Sequence, residues 1–399
     1  MTALATIPEA VADYEDGKFV IVVDDEDREN EGDLCVAAQL VTPEQIAFMS
    51  RYGGGLICTP IVARRLDELQ IEPMVMNNTS RYGTAFSVSI EAKDLVTTGI
   101  SAYDRAATIR HLLNPDARPQ DFAKPGHTFP LRAAEGGVLK RAGQTEAAVD
   151  LAALAGLYPA GVICEIMNED GRMARLPDLE QFSARHGIKI IAIKDLIAYR
   201  RRNERLVSRR VVTRVPIKGR DWLVHAYEDI LTQDVHLALV LGEIDSSQPV
   251  LLRAHSCCLT GDVFGSQRCD CGPQLDAAMD MIAQEGRGVV LYIGNHEGRG
   301  IGLINKLRAY NLQDQGMDTV EANEALDQPA DSRDYGIGNQ ILYDLGVRKM
   351  RLLTNNPRKL IGIEGYGLEV VEQVPIRVAA TRHNSRYLKT KKEKLGHLL

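Results

Sequence analysis

Long apolar runs are missing from this chain of 399 residues, and none reaches the roughly 18 residues that a membrane-spanning helix needs. The first stretch, MTALATIPEAVADYEDGKF, lacks both the basic leader and the apolar core of an export signal, so a soluble, cytoplasmic protein is expected. An excess of positive charge is missing too. Lys and Arg number 47 against 54 Asp and Glu, a formal charge of -7, which argues against a nucleic-acid coat and for a small ligand. Cysteines are few and odd in number, seven, which argues against a disulfide framework in a long chain without an export signal and makes thiols or metal ligands the better expectation. No internal repeat and no low-complexity tract occur, which removes solenoids from consideration. What is present is 45% hydrophobic residues, enough in a chain of this length to bury more than one core.

A composition break falls at YRRRNERLVSRR, where six arginines are offset by Glu204 alone; the run reads as a solvated helix end or linker and sets a boundary near 203 to 210. Before it, KFVIVVDD and GVICEI read as strands. TPEQIAFMSRYG and LPDLEQFSARHG read as helices, the first with a capping Thr42 and both closed by glycine. After it, HLALVLGEI, GVVLYIG and RKMRLLTNN read as strands and CGPQLDAAMDMIAQEG as a helix that opens near Pro273 and stops at Gly286. Both halves are α/β or α+β, so the expected architecture is two mixed α/β domains in tandem, residues 1–203 and 208–399. The basic C-terminal RYLKTKKEKLGHLL reads as a solvated terminal helix.

Cys35, Cys58 and Cys164 sit among apolar neighbours and read as buried thiols. The remaining four lie in RAHSCCLTGDVFGSQRCDCG. Successive side chains of an extended strand point to opposite faces, so Cys257 and Cys258 do not easily serve one ion together, whereas Cys269 and Cys271 face the same way. Cys258, Cys269 and Cys271 are thus the natural trio. Three protein ligands and one open position make the catalytic zinc pattern; a closed four-thiolate structural site is the alternative.

Downstream, GNHEGRGIGLINK places Gly298, Gly300 and Gly302 after a strand. Such glycines let backbone N–H groups approach phosphates, with Arg299 as a charged clamp, although a plain glycine turn gives the same pattern. QPADSRDYGIGNQIL carries Asp331 and Arg333, and TNNPRKL carries Thr354 and Lys359. An acid, an arginine and a lysine beside a metal-held water suit hydrolysis of a phosphorylated substrate.

Taken together, TGDVFGSQRCDCGPQL, HEGRGIGL, PADSRDYGIGNQIL and LLTNNPRKL closely resemble the GTP cyclohydrolase II family across residues 208 to 399. That resemblance implies opening of the imidazole ring of GTP with release of formate and pyrophosphate for flavin synthesis, one Zn2+ per chain, and Mg2+ or Mn2+. It assigns Cys258, Cys269 and Cys271 to zinc. Arg253, His255, Gln274, Glu297, Gly298, Arg299, Thr319, Thr354 and Lys359 fall at GTP-contacting positions. Asp331 falls at the proton acceptor, Arg333 at the nucleophile toward the α-phosphate, and Tyr310 at a tyrosine of the ring-opening chemistry. Two positions depart from the family pattern: Cys257 replaces an acid, and Gly294 an arginine. A weaker hold on GTP, or a related substrate, is the expectation from these losses.

The acidic loop VVDDEDRENEGD crowds Asp24, Asp25, Glu26, Asp27, Glu29, Glu31 and Asp33. Crowded carboxylates repel unless a cation or base neutralises them, so Mg2+ is a candidate, and an acidic surface turn is the alternative; the glycine spacing does not fit an EF-hand. With NNTSRYGTAFSVSIEA, KPGHTFPLRA, GGVLKRAGQTEAAVDL and GVICEIMNEDG, the loop resembles 3,4-dihydroxy-2-butanone 4-phosphate synthase over residues 8 to 202. The resemblance implies removal of one carbon of ribulose 5-phosphate as formate with Mg2+. It places Arg28, Asp33, Arg141, Thr145 and Glu165, along with Cys58 and His127, at matching positions and makes Glu29 a metal ligand.

The other metal ligand of that family is a histidine where this sequence has Gln144, and Ala107 stands where a threonine is usual. An amide oxygen is a poorer ligand than imidazole, so the first half is expected to keep the fold and to be weak or inactive, serving as a dimerisation surface. Other readings are two active halves, a specialised paralogue feeding another GTP-derived pathway, or a non-catalytic scaffold. A homodimer is expected from the resemblance.

Overall fold

The run Val20-Ile-Val-Val is buried at all four positions. A strand covered on both faces reads as continuously apolar, and alternation divides it. Ile21 and Val23 join one core, Val20 and Val22 the other. The structure is a computed structural model that describes residues 4–25, 28–326, 333, 335–356, 366–378, 381 and 384. By contacts the chain divides into two units, Met1–Asn203 and Glu204–Leu399. Each is a mixed sheet covered by helices.

The first unit contains β1 (Val20–Val23), β2 (Gly32–Ala37), β3 (Cys58–Val62), β4 (Ile90–Ala92), β5 (Phe122–Ala133), β6 (Gly161–Glu165) and β7 (Lys189–Ala192), in the order β4-β5-β3-β6-β2-β1-β7. On one face lie α1 (Ile7–Glu15), α5 (Gln144–Leu154) and α7 (Ile193–Asn203), supplying Tyr14, Leu151 and Leu196 to the core. The opposite face is covered by α2 (Pro43–Phe48), α3 (Ala63–Glu68), α4 (Ala102–Leu113) and α6 (Leu176–His186), through Ile46, Leu66, Leu112 and Leu179. Thr42 caps α2 by accepting the Gln45 N–H at 3.3 Å. α5 is so rich in alanine that it approaches the sheet closely. A Cβ on Gly161 would meet that of Ala148 at 2.7 Å.

This sheet brings one end of three strands together. Val22 of β1 pairs with Asp33 of β2, and Asp33 with Glu165 of β6. The acidic loop that follows β1 is therefore held at the same edge as Glu165.

In the second unit, β8 (Val207–Ile217), β9 (Arg220–Asp229), β10 (Val235–Leu241), β11 (Val250–Ser256), β12 (Gly288–Ile293), β13 (Lys349–Leu353) and β14 (Glu369–Val374) form a sheet of order β14-β13-β11-β12-β10-β9-β8. β11 is parallel to both β12 and β13. α8 (Cys271–Glu285) packs Ala278 and Ile282 on one face, and α11 (Gly336–Asp344) packs Ile341 and Leu342 on the other. α9 (Gly302–Asp314) and α10 (Thr319–Glu324) follow the glycine-rich segment. Ligands of open parallel sheets bind beyond the carboxyl ends of the strands. Here those ends are followed by Cys257 and Cys258, by the segment 294–301, and by Thr354–Asn356.

The arginine run forms the largely exposed end of a helix, as expected, and acids from other elements pair some of its charges. α7 ends at Asn203 and β8 begins at Val207. Arg200 is nearly buried and donates to Asp150 at 2.6 Å and to the Gly136 carbonyl at 2.9 Å. Arg205 reaches Asp344 at 2.8 Å and Arg209 reaches it at 3.4 Å. Neighbours distant in sequence supply the acids that the run itself lacks. The basic C-terminal segment lies outside the described residues, save Thr381 and Asn384 upstream of it. Among the described residues no helix is long and apolar enough to cross a membrane.

Candidate active sites

After β11 the chain turns sharply, and the two adjacent cysteines part. The Cys257 thiol donates to the Gly294 carbonyl at 3.0 Å. Cys258 points the other way, into a group with Cys269 and Cys271 whose sulfur atoms all lie within 4.8 Å of one another; the Cys258 and Cys269 sulfurs are 3.7 Å apart. Gly261 lets the turn close over them, because a Cβ there would meet the sulfurs of Cys269 and Cys258 at 2.9 and 3.0 Å. Hydrogen bonds from Cys269 and then Cys271 hold the Cys258 thiol far below its ordinary range, with Lys306 assisting against burial. The complementary hydrogen bond to Cys258 pushes Cys269 up to about 11. Burial, followed by Glu297, pushes Cys257 up to about 12, so it is a poor thiolate. Three convergent soft sulfurs in a buried pocket fit a thiophilic dication of the zinc type.

A single cleft joins these cysteines to the other residues expected to serve GTP. Arg253, His255, Gln274, Glu297, Gly298, Arg299, Tyr310, Thr319, Arg333 and Thr354 all line it. Their surroundings differ. Arg253 is buried and donates to the Leu353 carbonyl at 2.9 Å and to Gln274 Oε1 at 2.7 Å, which ties β11, β13 and α8 together. His255 Nε2 lies 3.1 Å from both oxygens of Asp262 and its ring stacks on Tyr292. Glu297 accepts from the Leu259 N–H at 2.7 Å and from Lys306 at 2.6 Å. Gly298 has φ of 60°, and a Cβ there would meet Ile301 at 2.9 Å and Lys306 at 3.0 Å, so the close turn requires glycine. Arg333 donates to Ser256 Oγ at 3.3 Å. Asp331 and Lys359 lie outside the described residues.

Gly294 has its own reason. Its N–H donates to His236 Nδ1 at 3.2 Å, and a Cβ would meet the Val235 carbonyl at 2.3 Å. No larger side chain fits this backbone, so Gly294 and Cys257 together make a local packing unit.

In the first unit the acidic loop is organised around Arg28 and Asp24. The buried Asp24 carboxylate pairs with Arg28 at 2.9 Å and accepts the N–H groups of Glu29 and Glu31 at 3.0 and 2.8 Å. Arg28 also meets Glu29 at 2.7 Å and donates to Gln144 Oε1 at 3.2 Å. Glu26 and Asp27 lie outside the described residues. Gln144 opens α5, and its Nε2 is buried with no hydrogen-bond partner among the described residues. Burial, then Glu165, raises the Asp33 carboxyl well above the carboxylate range, and burial raises Glu165. Asp33 and Glu165 disfavour one another's charge, and oxygen donors gathered in this way suit a hard cation such as Mg2+.

Arg141 pairs with Glu146 at 2.6 Å and donates to the Tyr82 carbonyl at 3.1 Å. Thr145 is buried beside it. Cys58 sits at the start of β3, where burial and the nearby Glu165 and Asp33 raise its thiol. His127 pairs with Glu91 of β4.

Comparison with known proteins follows the same division. The 3,4-dihydroxy-2-butanone 4-phosphate synthase family model matches residues 8–199, and the GTP cyclohydrolase II family model matches residues 208–375. The riboflavin biosynthesis protein RibBA of Aquifex aeolicus is 59% identical over 395 residues, 98% of this chain and 97% of that protein. The chain belongs to the RibBA family of riboflavin biosynthesis proteins. It is a bifunctional enzyme chain, with a synthase domain and a GTP cyclohydrolase II domain. RibBA of Salinispora tropica is 56% identical over 399 residues, all of both chains. Among solved structures, RibBX, a two-domain 3,4-dihydroxy-2-butanone 4-phosphate synthase from A. baumannii, is 39% identical, with a TM-score of 0.69 over 94% of this chain and 100% of that one.

RibBA membership corrects the expectation of a weak or inactive first half. Gln144 is one substitution inside an unbroken synthase match from 8 to 199, and the relatives agree over both halves. In the structure Gln144 places an amide oxygen at the acidic loop, where it accepts from Arg28. Sequence reasoning also passed over Thr260, Asp262, Lys306, Tyr292 and Tyr82. Lys306 and Tyr310 stand one helical turn apart on α9, a spacing that was available as a signal. Asp262 and Tyr82 carry none, because only the fold brings their partners to them.

Proposed function

We propose that the second half opens the imidazole ring of GTP, releasing formate and pyrophosphate, and that the first half converts ribulose 5-phosphate with release of formate. The convergence of Cys258, Cys269 and Cys271 on the cleft shared by Glu297, Arg299, Tyr310 and Arg333 carries the reading. Zinc on the three sulfurs would supply Lewis acidity and an activated water. The chain's own residues do the rest. Arg299 and Arg333 offer charge-assisted contacts to phosphates, the turn at Gly298 admits the ligand close to the backbone, and Glu297 is oriented by Lys306 and the Leu259 N–H. Asp331 takes the role of proton acceptor and Lys359 that of a phosphate contact.

In the first half Glu29 and Gln144 would hold Mg2+ or Mn2+, which supplies stabilisation of developing negative charge on substrate oxygens. Asp33 and Glu165, both raised, suit proton transfer, and Arg141 and Thr145 suit the sugar phosphate. The seven cysteines are all free, which suits the reducing cytoplasm, and the proposed form is a homodimer. Formate released from GTP and, separately, from ribulose 5-phosphate by the same zinc-loaded, Mg2+-supplied protein tests both halves. Formate from both is expected; silence with either substrate removes the corresponding half of the proposal.

A further inference from the structure

Lysine is among the residues least often buried, and a buried one has a specific set of partners. Lys306 is only 7% exposed, on the second turn of α9. Its Nζ lies 3.1 Å from Cys258 Sγ, 2.9 Å from Thr260 Oγ1 and 2.6 Å from Glu297 Oε1. An ammonium has three donors, and these contacts use all three. The same Nζ stands 5.8 Å from the centre of the Tyr310 ring.

We infer that Lys306 is a positioning residue of the three-cysteine site, one that balances the charge of the thiolate set and fixes Glu297 across the cleft. The inference rests on the proposed zinc reading. Three thiolates and one dication sum to a surplus negative charge, which is costly in a buried pocket without a cation nearby. Lys306 supplies that cation directly at a ligand sulfur. Hydrogen bonds to ligand atoms orient them and set metal affinity. Glu297 also receives the Leu259 N–H, so Lys306 links the segment after β11, which carries Cys258, to the segment after β12, which carries Glu297. A lysine that served only to stabilise the fold would pair with Glu297 and leave the metal's environment untouched. Contact with the sulfur makes the difference measurable.

The test uses the full-length protein as wild type, Lys306→Met and Lys306→Arg. Zinc affinity is measured by competition with a chromophoric chelator, and the thiolate-to-metal charge-transfer band is recorded on the Co2+-substituted protein. Loss of at least about tenfold in zinc affinity with a shifted cobalt band is expected for Lys306→Met. Lys306→Arg is expected to recover much of the affinity. Wild-type affinity and an unchanged band in Lys306→Met overturn the inference, whatever happens to turnover. Wild-type protein that takes up no zinc at these cysteines overturns the underlying zinc reading instead. If Lys306→Met loses its circular dichroism, Lys306→Gln, uncharged and still polar, is read by the same two measurements.

Discussion

Cys257 and Cys258 are adjacent in sequence and opposite in chemistry. One thiol is spent on the Gly294 carbonyl and the other joins two more sulfurs. That division follows from backbone alternation, and it was legible in the sequence because alternation is local. It has a direct consequence. Serine at 258, 269 or 271 is expected to bring zinc content from about one per chain towards zero. Formate release from GTP should fall at least about a hundredfold, since even outer contacts of a metal ligand cost 10 to 100-fold. Cys257→Ser is expected to retain the zinc of the wild type by elemental analysis. If Cys257→Ser loses zinc as completely as Cys258→Ser does, the closed four-thiolate site is the correct one.

Strands and helices behave similarly: what depends on near neighbours could be read ahead, and what depends on packing could not. The run at β1, the capped start of α2 and the glycine end of α8 were all visible as periodicity and end signals. The arginine run was legible as a helix end, but its ion pairs were not, because charge along the chain does not show that Asp150 and Asp344 will arrive from other elements. The internal organisation of the acidic loop was hidden for the same reason. Asp24 is a buried turn organiser, accepting two N–H groups, which a count of acids cannot distinguish from a metal ligand.

Pairing of β2 with β6 sets Asp33 beside Glu165. Both carboxyls are raised in the folded state, Asp33 by burial and then by Glu165, Glu165 by burial. An unfolded Asp or Glu titrates near about 4, so above that the unfolded chain sheds protons that the folded chain keeps. This contribution to stability is complete below the unfolded values and is lost as pH rises through the raised ones. Asp33→Asn is therefore expected to flatten the decline. In the metal-free protein the Asn variant should melt above wild type at pH 8, by about 2–4 °C per kcal/mol of relieved repulsion, with the gap closing near pH 4. Thermal unfolding across that range decides it, and two curves that run parallel at all pH values would show that the pair does not titrate in this window.

At the scale of the whole chain, two sheets of seven strands each carry a site at one end, and the donor sets are of opposite kinds. The second unit offers three sulfurs, which suit a thiophilic dication, whereas the first offers carboxylate and amide oxygens, which would suit a hard one. The sequence foreshadowed this contrast through its cysteine spacing and its acidic loop. It did not foreshadow that Gln144 would stay in register with Arg28 as an oxygen donor, because that contact spans 116 positions. The contrast implies that the two activities separate by metal chemistry alone. A nitrogen chelator such as 1,10-phenanthroline, with Mg2+ kept in excess, is expected to abolish formate from GTP and leave most of the formate from ribulose 5-phosphate. Added Zn2+ should restore the first activity without raising the second. EDTA in excess should silence both. Loss of the two activities in step under phenanthroline would overturn the assignment of different metals to the two halves.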